Sequence, residues 1–124
     1  MEMIGRLVAT LFISREVAHR AHLAATGTGS FSKHMALGEY YPAVGEHGDT
    51  ITEAYQGRHG LIGPITLHSV KKTNNVIEFL EDSLKEIEDA RYEVCDKSDS
   101  SLQQLIDNIV EVYLRTLYKL KFLA

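Results

Sequence analysis

Asn74–Leu120 reads NNVIEFLEDSLKEIEDARYEV, then CDKSD, then SSLQQLIDNIVEVYLRTLYKL. In its first part Ile77, Leu80, Leu84, Ile87 and Val94 recur at near-heptad spacing, while Glu78, Glu81, Asp82, Lys85, Glu86 and Glu88 fall mostly on the other faces. That pattern predicts an amphipathic helix from Ser69 or Asn74 to Val94. Beyond the polar stretch Cys95–Asp99, Ser100 and Gln103 fit a capping box, and Leu102, Leu105, Ile106, Ile109, Tyr113, Leu117 and Leu120 set out a second stripe. Two amphipathic helices joined by a short turn are half of a helical bundle.

The other half lies upstream. From about Met3 to Ala25, Ile4, Leu7, Val8, Leu11, Phe12, Ala18, Ala21 and His22 keep three- and four-residue spacings. A second segment is expected from Ser30, as N-cap, to Tyr55 or Gln56, with Gly57 and Gly60 as its stop. Gly38, Gly45 and Gly48 each cost such a helix up to about 1 kcal/mol against alanine, and Pro42 costs about 3 kcal/mol. The carbonyl that Pro42 leaves without a donor belongs to Gly38, so a bend near Gly38–Pro42 is expected rather than two elements. The three glycines fit either close approach of another helix at a dimer contact or a tolerated kink. No stretch alternates with period two and no repeat is visible. The fold expected is all-α, a ferritin-like four-helix bundle with two short turns and one crossover connection, about Gly57 to Leu67.

At 124 residues and 44% hydrophobic, the chain is one domain over residues 1–124. Its net charge of −4, with no basic stripe or tail, argues against a nucleic-acid partner. Cys95 is the single cysteine, which excludes an internal disulfide and a Cys-rich zinc cage and points to a reducing compartment, the cytoplasm. The apolar run Met3–Ile13 is broken by Gly5, Arg6 and Thr10, too short and too polar for a membrane span or a signal sequence.

His22, His34, Asp49 and Glu53 carry the chemistry, separated by 12, 15 and 4 positions. Asp49 and Glu53 stand one helical turn apart on one face, a two-oxygen claw. His22 and His34 flank the breaker-rich Thr26–Ser30, so the reversing chain brings two imidazoles together. Imidazole plus carboxylate suits iron, zinc or manganese without selecting among them. Glu16 and His19 form a Glu-x-x-His spacing, but a di-metal site within one chain needs a matching motif on the last helix, and Asp107 and Glu111 have no histidine near them. His47, His59 and His68 are read as exposed or loop histidines, and Cys95 as a spare thiol near a helix end.

Ala21-His22, Thr26-Gly27, Phe31, His34, Asp49 and Glu53 together resemble the Dps family, small ferritin-like proteins that oxidise and store iron. Asp96–Asp99, Leu102, Leu105 and Ile106, then Glu111, Tyr118, Leu120 and Leu123, look like that family's last turn and final helix. The resemblance implies a two-fold dimer extending to a twelve-subunit cage, with Fe(II) oxidised between subunits. His22 and His34 would come from one copy, and Asp49 and Glu53 from its mate. The family's middle connection usually forms a short helix at the dimer interface. The rival expectation is a non-enzymatic ferritin-like assembly protein with structural metal or none.

Overall fold

The computed structural model describes residues 2–70 and 74–123. Four helices follow in order: α1 (Glu2–Ala24), α2 (Ser30–His59), α3 (Val76–Val94) and α4 (Ser100–Phe122), with no strand among the described residues. The architecture is therefore the all-α four-helix bundle that the apolar stripes predict. No helix is long and apolar enough to cross a membrane, among the described residues.

Helix ends are set by local chemistry, and two caps sit one residue earlier than the sequence suggests. Gly29, not Ser30, is the N-cap of α2; its φ is 78°, and no side chain caps the helix. The chain reverses through left-handed backbone at Gly27 and Gly29, where a Cβ is strained, and Ser30 enters the helix with its N–H on the Gly27 carbonyl at 3.1 Å. At α4 the cap is Asp99, whose Oδ1 accepts from the Leu102 N–H at 3.2 Å. Gln103 is then free to turn inward, where its Nε2 donates to the Cys95 carbonyl at 3.1 Å. In turn the Arg91 Nε donates to its Oε1 at 2.8 Å. The expected Ser100–Gln103 box is replaced by a clasp holding the α3–α4 turn. Asn75 caps α3 by accepting from Glu78 N–H at 3.2 Å.

α2 runs through Pro42 as a single element. Three of its four glycines, Gly38, Gly45 and Gly48, explain themselves against α1. A Cβ on Gly38 would lie 2.9 Å from His22 Cε1, one on Gly45 3.0 Å from Arg15 Cδ, and one on Gly48 3.0 Å from Phe12 Cε1. His19 stacks on Tyr41 in the same register, ring centroids 4.2 Å apart. Stepping back along α1 through residues 22, 19, 15 and 12 matches stepping forward along α2 through 38, 41, 45 and 48. The glycines therefore serve packing within one chain: side chains of α1 lie flat on an antiparallel α2. Neither the dimer contact nor the kink is needed to explain them.

Each helix has two packing neighbours: α1 and α4 both pack on α2 and on α3. Ion pairs Glu39–Lys119 and Arg58–Asp99 make α2 and α4 antiparallel, and Glu81–Lys121 with Arg91–Asp107 do the same for α3 and α4. α2 thus ends where α4 begins, and α3 begins where α4 ends. Ile62 and Ile65, beyond the end of α2, pack against the core.

Besides the buried Thr10, Gln103 and Thr116, the core holds a cluster of four hydroxyls, one from each helix. Ser14, Tyr40, Ser83 and Tyr113 are all buried. Ser14 Oγ donates to the Leu11 carbonyl at 3.0 Å, so Tyr40 O–H must donate to Ser14 at 2.8 Å. Tyr113 O–H also donates to Ser14 at 3.1 Å, which leaves Ser83 to donate to Tyr113 at 2.7 Å. Every hydroxyl proton has an acceptor, which is what makes four buried hydroxyls tolerable. Burial pushes the Tyr40 phenol well above its ordinary value and raises Tyr113 as well.

Candidate metal centre

His22 stands in the last turn of α1 and His34 in the second turn of α2, and the glycine turn between them folds the two rings face to face. Their centroids are 3.7 Å apart at an interplanar angle of 20°. His22 Nδ1 bonds to the backbone carbonyl of His34 at 2.6 Å, and His34 Nδ1 bonds to the carbonyl of His22 at 3.0 Å. A carbonyl oxygen has no proton to give, so each Nδ1 is a donor. In the neutral ring the lone pair is then on Nε2, on both histidines. A metal-binding imidazole usually donates its other nitrogen to a carbonyl or carboxylate in this way. Gly38 beneath His22 is part of the arrangement, because a methyl group there would displace the ring.

Asp49 and Glu53 lie one turn apart on the exposed side of α2, and neither makes a hydrogen bond or ion pair among the described residues. The fifteen residues between His34 and Asp49 correspond to about 22 Å of helix. One chain cannot bring the imidazoles to the carboxylates. Accordingly, among the described residues no three of His, Cys, Asp and Glu converge in the monomer. His22, ending α1, and His34, near the start of α2, thus stand together, with Asp49 and Glu53 about 22 Å further along α2.

A family model matches residues 22–120, a span that begins at His22 and takes in all of α2, α3 and most of α4. The chain belongs to the DUF5856 family, a family of unknown function. No match was found among curated proteins or among solved structures. All four sequence-predicted ligands of this DUF5856 chain fall inside the matched span.

The Glu-x-x-His pair does not build a site in the monomer. Glu16 is exposed beside Arg20, and His19 is occupied by its stack on Tyr41. The position between the four helices where an internal metal pair would need carboxylates holds the Ser14–Tyr40–Ser83–Tyr113 hydroxyls instead. Those hydroxyls went unread in the sequence, although serine and tyrosine at core-stripe positions are a visible signal. Tyr41 was missed too; its ring stacks on His19 and tilts against His22 at 5.5 Å, contacts that spacing alone does not reveal.

His59 leans on Tyr55, with centroids 4.6 Å apart. His68 is half-buried on the connection, not simply exposed, and its Nδ1 has no partner among the described residues. Burial, and then the charge of Arg6, lower its pKa. Cys95 is buried, and burial raises its thiol. Residues 60–70, 74 and 75 contain no helix, so the short interface helix usual in the Dps family is missing from the described part of this connection.

Proposed function

We propose that this chain is a Dps-like member of the ferritin-like proteins, oxidising Fe(II) at sites formed between two copies. The observation that carries the reading is the reciprocal latch of His22 and His34, which ties both Nδ1–H groups to backbone carbonyls and leaves the lone pair of each neutral ring on Nε2. A pair of free carboxylates on the same helix, about 22 Å away, supplies the complementary half. An antiparallel second copy across a two-fold axis brings His22 and His34 of one chain to Asp49 and Glu53 of the other, twice per dimer.

In this reading iron is the substrate. The imidazoles and carboxylates hold Fe(II), each Fe(II) gives up one electron to hydrogen peroxide or dioxygen, and the hard carboxylate oxygens favour the ferric product. Zinc and manganese fit the same donors and would act as competitors. A closed cage of twelve copies would retain the product. A single buried thiol fits work in a reducing, cytoplasmic compartment.

Mixing tests the geometry. His22→Ala with His34→Ala in one chain, and Asp49→Ala with Glu53→Ala in another, should each abolish Fe(II) oxidation and leave the helical content unchanged. A mixed dimer of the two has one site without ligands and one intact, so co-assembly should restore activity. Proven mixed dimers without restored oxidation would reject the intersubunit site. The rival assembly-protein reading is favoured by one observation, that the described residues of the connection form no interface helix, and wild-type protein that fails to oxidise Fe(II) at all would select it.

A further inference from the structure

A cavity of about 220 Å³ lies in the seam between α1 and α3, walled on its third side by residues 68–70. A cavity of about 150 Å³ accepts a benzene ring, and drug-sized ligands occupy about 300–1,000 Å³, so this one takes a single ring with a short chain. Ile13, Phe79 and Val70, one from each wall, supply an apolar surface for such a ring. Two hydroxyl residues more than nine-tenths buried also line it, Thr10 at 6% exposure and Ser83 at 5%. Neither has a proton to offer. Thr10 gives its own to the Arg6 carbonyl at 2.9 Å, and Ser83 gives its own to Tyr113 at 2.7 Å. Each oxygen keeps lone pairs that no donor among the described residues fills.

The rest of the polar lining is of the same kind. Glu78, Asp82 and Glu86 follow at four-residue spacing along α3 and form one acidic stripe on the cavity wall. Glu86 has a cation, the Nε of Arg6 at 2.9 Å, whereas Glu78 and Asp82 make no ion pair among the described residues. Burial, and then the charge of Arg6, hold His68 in the third wall below its usual value against the pull of Glu86, so it is neutral at pH 7 and offsets none of this charge. We infer that the cavity binds a small organic cation, a primary ammonium carrying one ring-sized apolar group. Such a ligand brings the donors and the positive charge that these walls lack; an anion would be repelled, and a ring without donors would leave buried acceptors unmet. The site uses none of His22, His34, Asp49 and Glu53, so it stands whether or not the chain oxidises Fe(II).

Phenethylamine, an ammonium at neutral pH with one phenyl ring, is the probe, titrated into the isotope-labelled full chain and followed by amide chemical shifts. It should move the Thr10 and Ser83 amides saturably and leave those of Asp49 and Glu53 in place. Phenylacetate has a similar ring with the opposite charge, and ethylamine the same charge without the ring; each should bind about tenfold more weakly or worse. Glu78→Gln with Asp82→Asn, at two exposed positions, should weaken phenethylamine about tenfold without lowering the thermal midpoint. No saturable shift with phenethylamine, equal binding of phenylacetate, or undiminished binding in the double variant overturns the proposal. Broadening of the same amides by Mn(II), relieved by the double variant but not by phenethylamine, overturns it too and assigns the carboxylates to a metal ion.

Discussion

The buried phenols are not equivalent. Tyr113 both accepts from Ser83 and donates to Ser14, whereas Tyr40 only donates. Tyr113→Phe should cost about 1–3 kcal/mol in urea unfolding, because it strands the Ser83 proton in the core. Tyr40→Phe should cost less, leaving Ser14 with one donor and no orphaned group. Gly38→Ala separates packing from chemistry: the added methyl collides with His22 Cε1, so cobalt or zinc affinity should fall at least tenfold. The thermal midpoint should move by only a few degrees, as improved helix propensity offsets part of the clash. Unchanged metal affinity in that variant would show that the His22 ring position does not matter. These details were not legible beforehand. Spacing shows which side of a helix a residue takes, but not which atom of a neighbour it meets.

Among the elements, the α3–α4 turn concentrates the most bonding. Asp99 caps α4 and also accepts an ion pair from Arg58 in the last turn of α2, at 2.9 Å. Asp99→Ala should therefore destabilise by about 1–2 kcal/mol, the upper range for a lost N-cap, with the ion pair adding little because its Arg58 end is half-exposed. Cys95 sits within the same clasp, and burial keeps its thiol protonated. It should react with iodoacetamide far more slowly in the native protein than in urea, and Asp99→Ala should shorten that protection. Equal alkylation rates in native protein and in urea would show that the clasp opens freely. The polar stretch between the apolar stripes marked this turn in the sequence. Its cap was misplaced by one residue, because Asp99 and Ser100 are both good caps and tertiary contact with Arg58 favours the aspartate.

At the scale of the whole molecule, the two tyrosines link stability to alkaline pH. A buried acid whose pKa is raised on folding keeps its proton when the unfolded chain has lost it. Its contribution is therefore complete below the unfolded phenol value near 10 and is lost as pH rises past it. Stability should fall above about pH 10 by up to about 1.4 kcal/mol per pH unit for each buried phenol. Tyr40→Phe should flatten that fall in urea titrations repeated from pH 8 to 11. Duplex DNA should not be shifted at about 0.15 M salt, since the chain carries a net charge of −4. Retained binding that weakens steeply with salt would reveal a basic surface created by assembly.

Four helices, their approximate ends and most of their inward faces were written in the sequence, because burying one apolar stripe per helix is a local requirement that periodicity records. His22, His34, Asp49 and Glu53 were visible as residue types at set separations. Only tertiary structure decided that the imidazoles latch each other's backbone and that three glycines exist to seat α1 on α2. Each of these depends on distances between helices, and such distances follow from packing, which no single segment of sequence contains.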